Sequence, residues 1–183
     1  MLQALPYSRS IIESGNIKAD ALISIGASEL NKHLRGGDII LPENKYPILR
    51  LSFDDVPLES YIDDKQNVWY GPNETDVIKA LAFSKEIYQY NPDAFIAVHC
   101  EQGKSRSAAI TLSILSQLAG KGKEEYIVLK LLKQDVDQQF CFNPLVIKIA
   151  DRILNNSFAL EIQLEKYCPR FITWKKYWKN KEV

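Results

Sequence analysis

The sequence has few cysteines and no excess of either charge. Its three cysteines, Cys100, Cys141 and Cys168, are an odd number spread over 183 residues, which argues against a disulfide framework and favours a reducing compartment. We expect Cys141 and Cys168 to be buried and inert rather than partners in a regulatory disulfide. Lysine and arginine total 23, as do aspartate and glutamate, so the net charge excludes nucleic acid as an expected partner. Any anion site must therefore be local.

Long apolar stretches are also absent. The N-terminal residues, MLQALPYSRSIIES, lack a basic region followed by an apolar run, and no window reaches the roughly 18 apolar residues that span a bilayer. We therefore expect a cytoplasmic protein with no membrane span. With 46% hydrophobic and 25% charged residues, the length suits a single domain over residues 1–183.

Short apolar runs alternate with helical patterns along the chain. Runs rich in β-branched residues predict buried strands at 21–25, 46–53 and 94–98. Helices are predicted at 74–90 and 107–119, from near Glu124, and from Pro144 with Asn143 as N-cap. This order predicts a three-layer α/β domain, in which a small, mostly parallel central sheet is flanked by helices.

The segment HCEQGKSRS, residues 99–107, joins the last predicted strand to the charge-free helix at 107–119. A loop that turns into a helix N-terminus presents unpaired backbone N–H groups and the positive end of the helix dipole at one point. Phosphate is the anion that such a cradle fits best. The predicted phosphate-binding residues are Glu101, Gln102, Gly103, Lys104, Ser105 and Arg106.

Cys100 begins this loop, so its sulfur is expected at the floor of the cradle, where a thiolate would face a bound phosphoryl group. Arg106 supplies a guanidinium that can hold two equatorial phosphoryl oxygens. For Ser107 two roles remain open: donation to the sulfur, or satisfaction of the backbone in the first helical turn. His99 is expected to be a hydrogen-bonded core residue.

The whole segment resembles the signature of the cysteine-dependent protein tyrosine phosphatases, a cysteine and an arginine separated by five residues, in the dual-specificity-like bacterial branch. The stretches LSFDDVP, GPNE and NPLVIKIADRIL are similar to patterns of bacterial members. The resemblance covers roughly residues 20–155, with 156–183 as a C-terminal extension. It implies a phosphatase-type fold, a phosphocysteine intermediate, no metal and no cofactor.

A phosphatase of this kind needs an Asp or Glu to protonate the leaving group. The upstream candidates are Asp54, Asp55, Asp63, Asp64 and Asp76. Asp54 and Asp55 follow the strand at 46–53, which places them at the same carboxyl edge of a parallel sheet as Cys100. The resemblance implies Asp55 as the acid, with Asp54 in reserve.

Two further segments carry open interpretations. The acidic insert at 56–71 is either a lid over substrate or an exposed loop with a buried aromatic anchor. The aromatic and basic C-terminal tail is either a partner-docking element or a helix that packs Trp174 and Trp178 on the domain, and we favour the second.

The sequence therefore predicts a phosphomonoester hydrolase, a protein tyrosine or dual-specificity phosphatase acting on a phosphorylated protein or a small phosphomonoester. The alternatives are a phosphoinositide or inositol phosphate phosphatase and a catalytically silent phosphate-binding module. Lys104, four positions after the cysteine, is also a lysine in the phosphoinositide-type branch. That branch has a second lysine directly after the cysteine, where this sequence has Glu101. A sulfur- or arsenate-handling enzyme on a similar loop is a further alternative.

Overall fold

The computed structural model of the chain describes residues 2–35 and 46–181. At its centre lies a four-stranded sheet in which every pair of neighbouring strands is parallel. Numbered in chain order and given in their spatial order, the strands are β1 (Ala4–Ser8), β6 (Ile96–Cys100), β2 (Ala21–Gly26) and β3 (Ile48–Ser52). A separate antiparallel hairpin is formed by β4 (Ser60–Ile62) and β5 (Val68–Tyr70).

Seven α-helices and one 3₁₀ helix at Glu29–Arg35 surround the sheet in the described residues. The α-helices are α1 (Arg9–Glu13), α2 (Glu74–Tyr90), α3 (Arg106–Ala119), α4 (Glu124–Leu132), α5 (Pro144–Ile153), α6 (Ala159–Tyr167) and α7 (Pro169–Lys179). No helix in residues 2–35 or 46–181 combines the length and the apolar character needed to cross a bilayer.

The predicted three-layer α/β architecture is confirmed, although its two helical layers are unequal. Strand residues alternate between faces, so Ile23 and Val98 join the main core with α2 and α3, whereas Leu22 and Ala97 point to the other side. Among the described residues, those that they meet there are Ile12 of the short α1 and a few half-buried neighbours. In this part of the chain the second layer is therefore thin.

One strand of the sheet is missing from the sequence prediction. The edge strand β1 contains Pro6, which lowers the strand signal, and four of its five residues are only half-buried. Edge strands tolerate proline because one side of their backbone lies outside the ladder. The hairpin, α1 and α6 also went unpredicted. The helix favoured for the C-terminal tail corresponds to α7, and β2, β3 and β6 match the predicted runs within two residues at each end.

The parallel arrangement brings the C-terminal ends of four strands to one edge of the sheet. These ends are Ser8, Gly26, Ser52 and Cys100. Because β6 lies between β1 and β2, Cys100 occupies a central position at this edge. The segments that follow β2, β3 and β6 therefore meet around it.

His99 is a buried polar residue of the central strand. Its Nε2 lies 2.8 Å from the Ser24 hydroxyl on the neighbouring β2. Burial, which penalises the charged ring, lowers the pKa of His99 from 6.5 to about 4. The expected core role of this residue is confirmed.

This burial predicts a pH-dependent stability. Above pH 6.5 His99 is neutral in both states, but at lower pH the unfolded chain takes up a proton that the folded chain refuses until about pH 4. Stability should therefore fall by up to about 3 kcal/mol from this residue as the pH drops through that window. Urea unfolding at pH 7 and pH 4.5 should show a larger loss for the wild type than for His99→Gln. The exposed His33, changed to Gln, is the control, and equal losses in all three proteins would contradict the prediction.

Candidate active site

The loop after β6 packs tightly against the end of β1. Gly103 has a φ of +77°, a conformation that side chains disfavour, and a Cβ at this position would lie 2.6 Å from the Ser8 nitrogen and 2.7 Å from the Tyr7 carbonyl carbon. The positive φ and the close backbone contacts mean that any other residue at position 103 would require the loop or β1 to shift. Glycine here lets the loop curl over the strand end.

The carbonyl groups of the loop are bound from outside. Glu101 accepts a hydrogen bond from the Arg9 amide at 3.2 Å, Lys104 accepts one from the Cys141 amide at 3.0 Å, and Ser105 accepts one from Asn143 at 3.3 Å. By contrast, no backbone N–H of residues 101–105 donates to another group in the described part of the chain. These free donors make the loop a nest for an anion.

Cys100 and Ser107 lie at the two ends of this nest. The Cys100 sulfur is 3.2 Å from the Ser107 hydroxyl, and both residues are buried. This contact favours donation to the sulfur over the alternative in which Ser107 only satisfies the backbone of α3. It gives Ser107 a direct route to stabilise charge on the sulfur.

Arg106 is fixed by the ends of two strands. Its Nη1 donates to the carbonyl oxygens of Gly26 at 3.0 Å and Phe53 at 2.9 Å. Its Nε is buried and has no hydrogen-bond partner among the described residues. Since an unpaired buried donor is costly, this arrangement suits a guanidinium whose remaining N–H groups are satisfied by an incoming anion.

The two adjacent aspartates have different surroundings. Asp54 is buried and its carboxylate accepts hydrogen bonds from the Ser28 amide and hydroxyl, the Asn31 amide group and the Tyr70 backbone, at 2.6–3.1 Å. All of its bonds tie β3 to the segments around it. Asp54 is therefore a structural residue that joins the 3₁₀ helix and the hairpin to the sheet edge.

Asp55 faces the cavity above the loop. Its Oδ1 accepts from the Ser105 hydroxyl at 2.7 Å and from the Asn143 side chain at 3.0 Å. Asn143 also caps α5 through its Oδ1, so one side chain holds both the helix and the carboxylate. The sequence identified Asn143 only as a cap; its contact with Asp55, 88 positions away, could not be predicted from spacing.

The remaining acid candidates have structural partners or lie elsewhere. Asp63 closes the turn of the β4–β5 hairpin by accepting from Lys65, Asn67 and Trp69. These hydrogen bonds, chiefly that from the Asn67 side chain, lower the pKa of Asp63 to about 2. Asp76 forms a capping box with Asn73 at the start of α2, and neither Asp76 nor Asp64 lines the cavity.

The cavity above Cys100 has a volume of about 820 Å³. Its floor is the loop with Asp55, and its two walls are the hairpin with Tyr61 and Trp69 and the helix α7. The insert therefore borders the site, with Trp69 half-buried and tied to Asp63. Residues of α7 and the position just beyond its end that line the cavity are Arg170, Thr173, Trp174, Tyr177, Trp178 and Lys181.

The favoured interpretation of the tail holds only in part. Trp178 is buried and its ring meets Tyr61 edge-on at 5.2 Å, as expected for a helix that packs on the domain. Trp174 instead is half-buried and faces the cavity. The spacing of the cavity-lining residues, 170, 173, 174, 177, 178 and 181, is the sequence signal that marks this face of the helix.

Other site residues are restrained by neighbours. The Lys104 ammonium donates to the Gln139 side chain at 3.0 Å, so in this structure it is bound at the rim and not in the cradle. Cys141 lines the cavity, and burial, followed by the charge of Asp55, raises its pKa to about 12. All three cysteines are free thiols. No group of three His, Cys, Asp or Glu side chains able to hold a metal occurs among residues 2–35 and 46–181.

Solved structures with this fold are known, although the sequence matches no protein-family model and no curated protein sequence. The human tyrosine phosphatase-like serine/threonine/tyrosine-interacting protein aligns with 84% of this chain and 91% of its own, with a TM-score of 0.56 and 13% identity. Human DUSP28 aligns with 89% of this chain and 96% of its own, with a TM-score of 0.56 and 16% identity.

A mouse putative dual specificity phosphatase was solved in complex with zinc tungstate. Its alignment with this protein covers 89% of this chain and 86% of the mouse chain, with a TM-score of 0.52 and 14% identity. The chain therefore shares the fold of these phosphatase and phosphatase-like structures, and the phosphatase-type fold implied by the sequence resemblance is confirmed. Membership of the bacterial branch stays a prediction.

The different roles of the two aspartates can be tested by stability. Asp54→Asn replaces one accepting carboxylate oxygen with an NH₂ group, which would face donors that are already buried there. It should therefore lower the free energy of unfolding by about 2–4 kcal/mol. Asp55→Asn retains its Oδ1 acceptor and should cost under about 1 kcal/mol. Urea denaturation of both variants measures the difference. An equal loss from Asp55→Asn would contradict the assignment.

Proposed function

We propose that this chain is a cysteine-dependent phosphomonoester hydrolase, acting as a protein tyrosine or dual-specificity phosphatase in the cytoplasm. The observation that carries the proposal is the arrangement of Arg106. Its Nη1 is bound to two strand-end carbonyls while its Nε stays buried and unpaired, and the residue lines the cavity that also contains Cys100 and the free loop amides.

In the first step, the phosphate of the substrate binds the loop amides and the free donors of Arg106. The Cys100 thiolate attacks phosphorus in line with the ester oxygen, so the S–P bond forms as the P–O bond breaks. Asp55 gives its proton to the departing oxygen. Since Oδ1 of Asp55 already accepts two hydrogen bonds, its Oδ2 is the oxygen that carries this proton.

In the second step, water attacks the phosphocysteine. Asp55, now ionised, takes a proton from that water as the S–P bond breaks and inorganic phosphate leaves. The Ser107 hydroxyl, 3.2 Å from the sulfur, donates to the thiolate that departs. Arg106 holds the equatorial oxygens in both steps, where charge is greatest.

The alternative of a silent phosphate-binding module is supported by one structural neighbour, whose name describes a phosphatase-like interacting protein. A binder needs the amides and Arg106 but has no use for a hydroxyl beside the sulfur or for a carboxyl beside the loop. The positions of Ser107 and Asp55 therefore favour turnover. Another neighbour was solved in complex with zinc tungstate, which supports binding of a tetrahedral oxyanion by a protein of this fold.

Replacement of the nucleophile and the arginine tests this function directly. Wild-type protein should hydrolyse p-nitrophenyl phosphate in the presence of a chelator, and vanadate should inhibit it. Cys100→Ser should lower turnover by about 10³-fold or more yet still bind tungstate, as measured by calorimetry. Arg106→Lys should lose about 10²–10³-fold in kcat because an ammonium cannot grip two oxygens.

Three outcomes would contradict the proposal. They are no turnover by the wild type, full activity in Cys100→Ser, and activity abolished by the chelator. The first outcome, together with retained tungstate binding, would favour the silent module. Persulfide formation with thiosulfate would favour sulfur chemistry instead.

The acid is tested by the leaving group and by pH. Asp55→Asn should reduce kcat by about 10²-fold for phenyl phosphate, whose leaving oxygen needs a proton. It should reduce kcat much less for p-nitrophenyl phosphate, whose leaving group is stable as an anion. The basic limb of the pH profile for phenyl phosphate should flatten in this variant and persist in Asp54→Asn. A flattened limb in Asp54→Asn alone would move the acid to Asp54.

A further inference from the structure

One face of α7 and the residue just beyond its end points into the candidate active site. The residues at 170, 173, 174, 177, 178 and 181 recur at intervals of three and four, so they share a face, and all of them line the cavity that contains Cys100. The α7 helix lies outside residues 20–155, where the phosphatase resemblance falls. It is therefore an addition to the catalytic machinery described above.

The helix is held firmly in this position. Phe171 is fully buried in the main core, and Trp178 packs edge-on against Tyr61 of the hairpin at 5.2 Å between ring centres. On another face, Lys175 forms ion pairs with Glu161 and Glu165 of α6. The face toward the cavity is thus presented by a packed element.

Trp174 and Tyr177 stack on each other on this face, and we call this pair the aromatic shelf. Their rings are parallel, with an interplanar angle of 3° and centres 5.5 Å apart, and Trp178 supports Trp174 edge-on at 5.7 Å. Tyr177 is 47% exposed, so the shelf is accessible from the cavity. Such a surface suits an aromatic or aliphatic side chain.

Arg170 lies at the start of the same face. It is exposed, and no hydrogen bond or ion pair joins its guanidinium to another residue of the described chain. By contrast, Lys166 of α6 pairs with Glu125, and Lys175 of α7 pairs with Glu161 and Glu165. An arginine left free at the rim of a ligand cavity suits an anionic group of the ligand.

The other charges of the cavity allow this role. Asp55 and Asp63 already accept hydrogen bonds from within the protein, so neither offers a free carboxylate to Arg170. Glu101 is exposed at the loop. Lys104, bound to Gln139, and Lys181, which lies 5.5 Å from the centre of the Tyr177 ring, add further cations to the cavity lining.

The size of the cavity leaves room for more than one side chain. Cavities that bind whole drug-sized ligands measure about 300–1,000 Å³, and this one measures about 820 Å³. A phosphorylated side chain in the cradle would occupy only the part next to Cys100. The α7 wall then faces the groups that flank it.

We propose that the α7 face is a second substrate subsite that binds the peptide segment next to the phosphorylated residue. Arg170 binds a carboxylate of that segment, and the aromatic shelf binds an aromatic or aliphatic side chain. The proposal rests on the proposed function and names its substrate class as phosphopeptides with acidic and apolar flanks.

The test uses Cys100→Ser protein and fluorescently labelled phosphotyrosine peptides. One peptide carries glutamate and leucine beside the phosphotyrosine and the other carries alanines, and binding is followed by fluorescence polarisation. The acidic peptide should bind about tenfold more tightly. Added Arg170→Ala should remove that preference and leave the alanine peptide within about twofold. Arg170→Lys should restore part of it.

Lys176→Ala is the matched control, because Lys176 is an exposed cation of the same helix that does not line the cavity. It should change neither affinity by more than about twofold. Trp174→Ala should weaken the leucine-containing peptide, and Trp174→Phe should restore it. If Trp174→Ala proves unfolded by circular dichroism, the exposed Arg170 still decides the question.

Equal binding of the two peptides, or equal losses in Arg170→Ala and Lys176→Ala, would overturn the subsite. So would hydrolysis of small phosphomonoesters as efficiently as of the acidic peptide. Turnover of p-nitrophenyl phosphate by protein with Cys100 intact tests the proposed function separately. Peptide preference without turnover would retain the subsite and reject the hydrolase.

Discussion

The site depends on the two hydrogen bonds that hold Arg106 to the backbone of Gly26 and Phe53. Those carbonyls belong to the ends of β2 and the segment after β3, so the guanidinium joins the nucleophile loop to the neighbouring strands. The same bonds fix which of its donors remain free. A lysine has no planar fork and cannot make both contacts while presenting a further aligned donor. The arginine therefore ties the loop to the neighbouring strands and is also the group proposed to orient an anion.

The local part of the site follows directly from the sequence. A strand, a loop with Gly103 and a charge-free helix are continuous in the chain, so the nest at residues 101–105 is encoded by neighbours. The parallel order of the sheet also predicted that Asp54 and Asp55 would lie near Cys100. The spacing of residues in the sequence could not show which aspartate faces the cavity. That depends on hydrogen bonds from Ser28, Asn31 and Asn143, which are distant in sequence.

The walls of the cavity depend on tertiary packing and were not predicted. Residues of α7 are apolar on more than one side, since Phe171 enters the core while Trp174 and Trp178 face the cavity and the hairpin. Such a helix has no single apolar stripe, so its sequence does not show which surface of the domain it packs against. The hairpin is similar, because its short strands are stabilised by Asp63 and by contact with α7. β1 was missed because Pro6 masks an edge strand.

The residues proposed for catalysis are mostly close together in sequence, whereas those proposed for substrate selection are brought to the cavity by tertiary packing. Three of the four groups proposed for bond breaking, Cys100, Arg106 and Ser107, lie within eight consecutive positions, and the fourth, Asp55, is held against the same loop by Ser105 and by Asn143. The groups proposed for selection, Arg170 and the aromatic shelf, reach the cavity only through the packing of Phe171 and Trp178. A change in that packing would alter which flanking groups fit while the cradle stays intact, because the loop is held by β1, by the strand ends and by Asn143. Chemistry and selectivity in this fold therefore rest on separate sets of contacts.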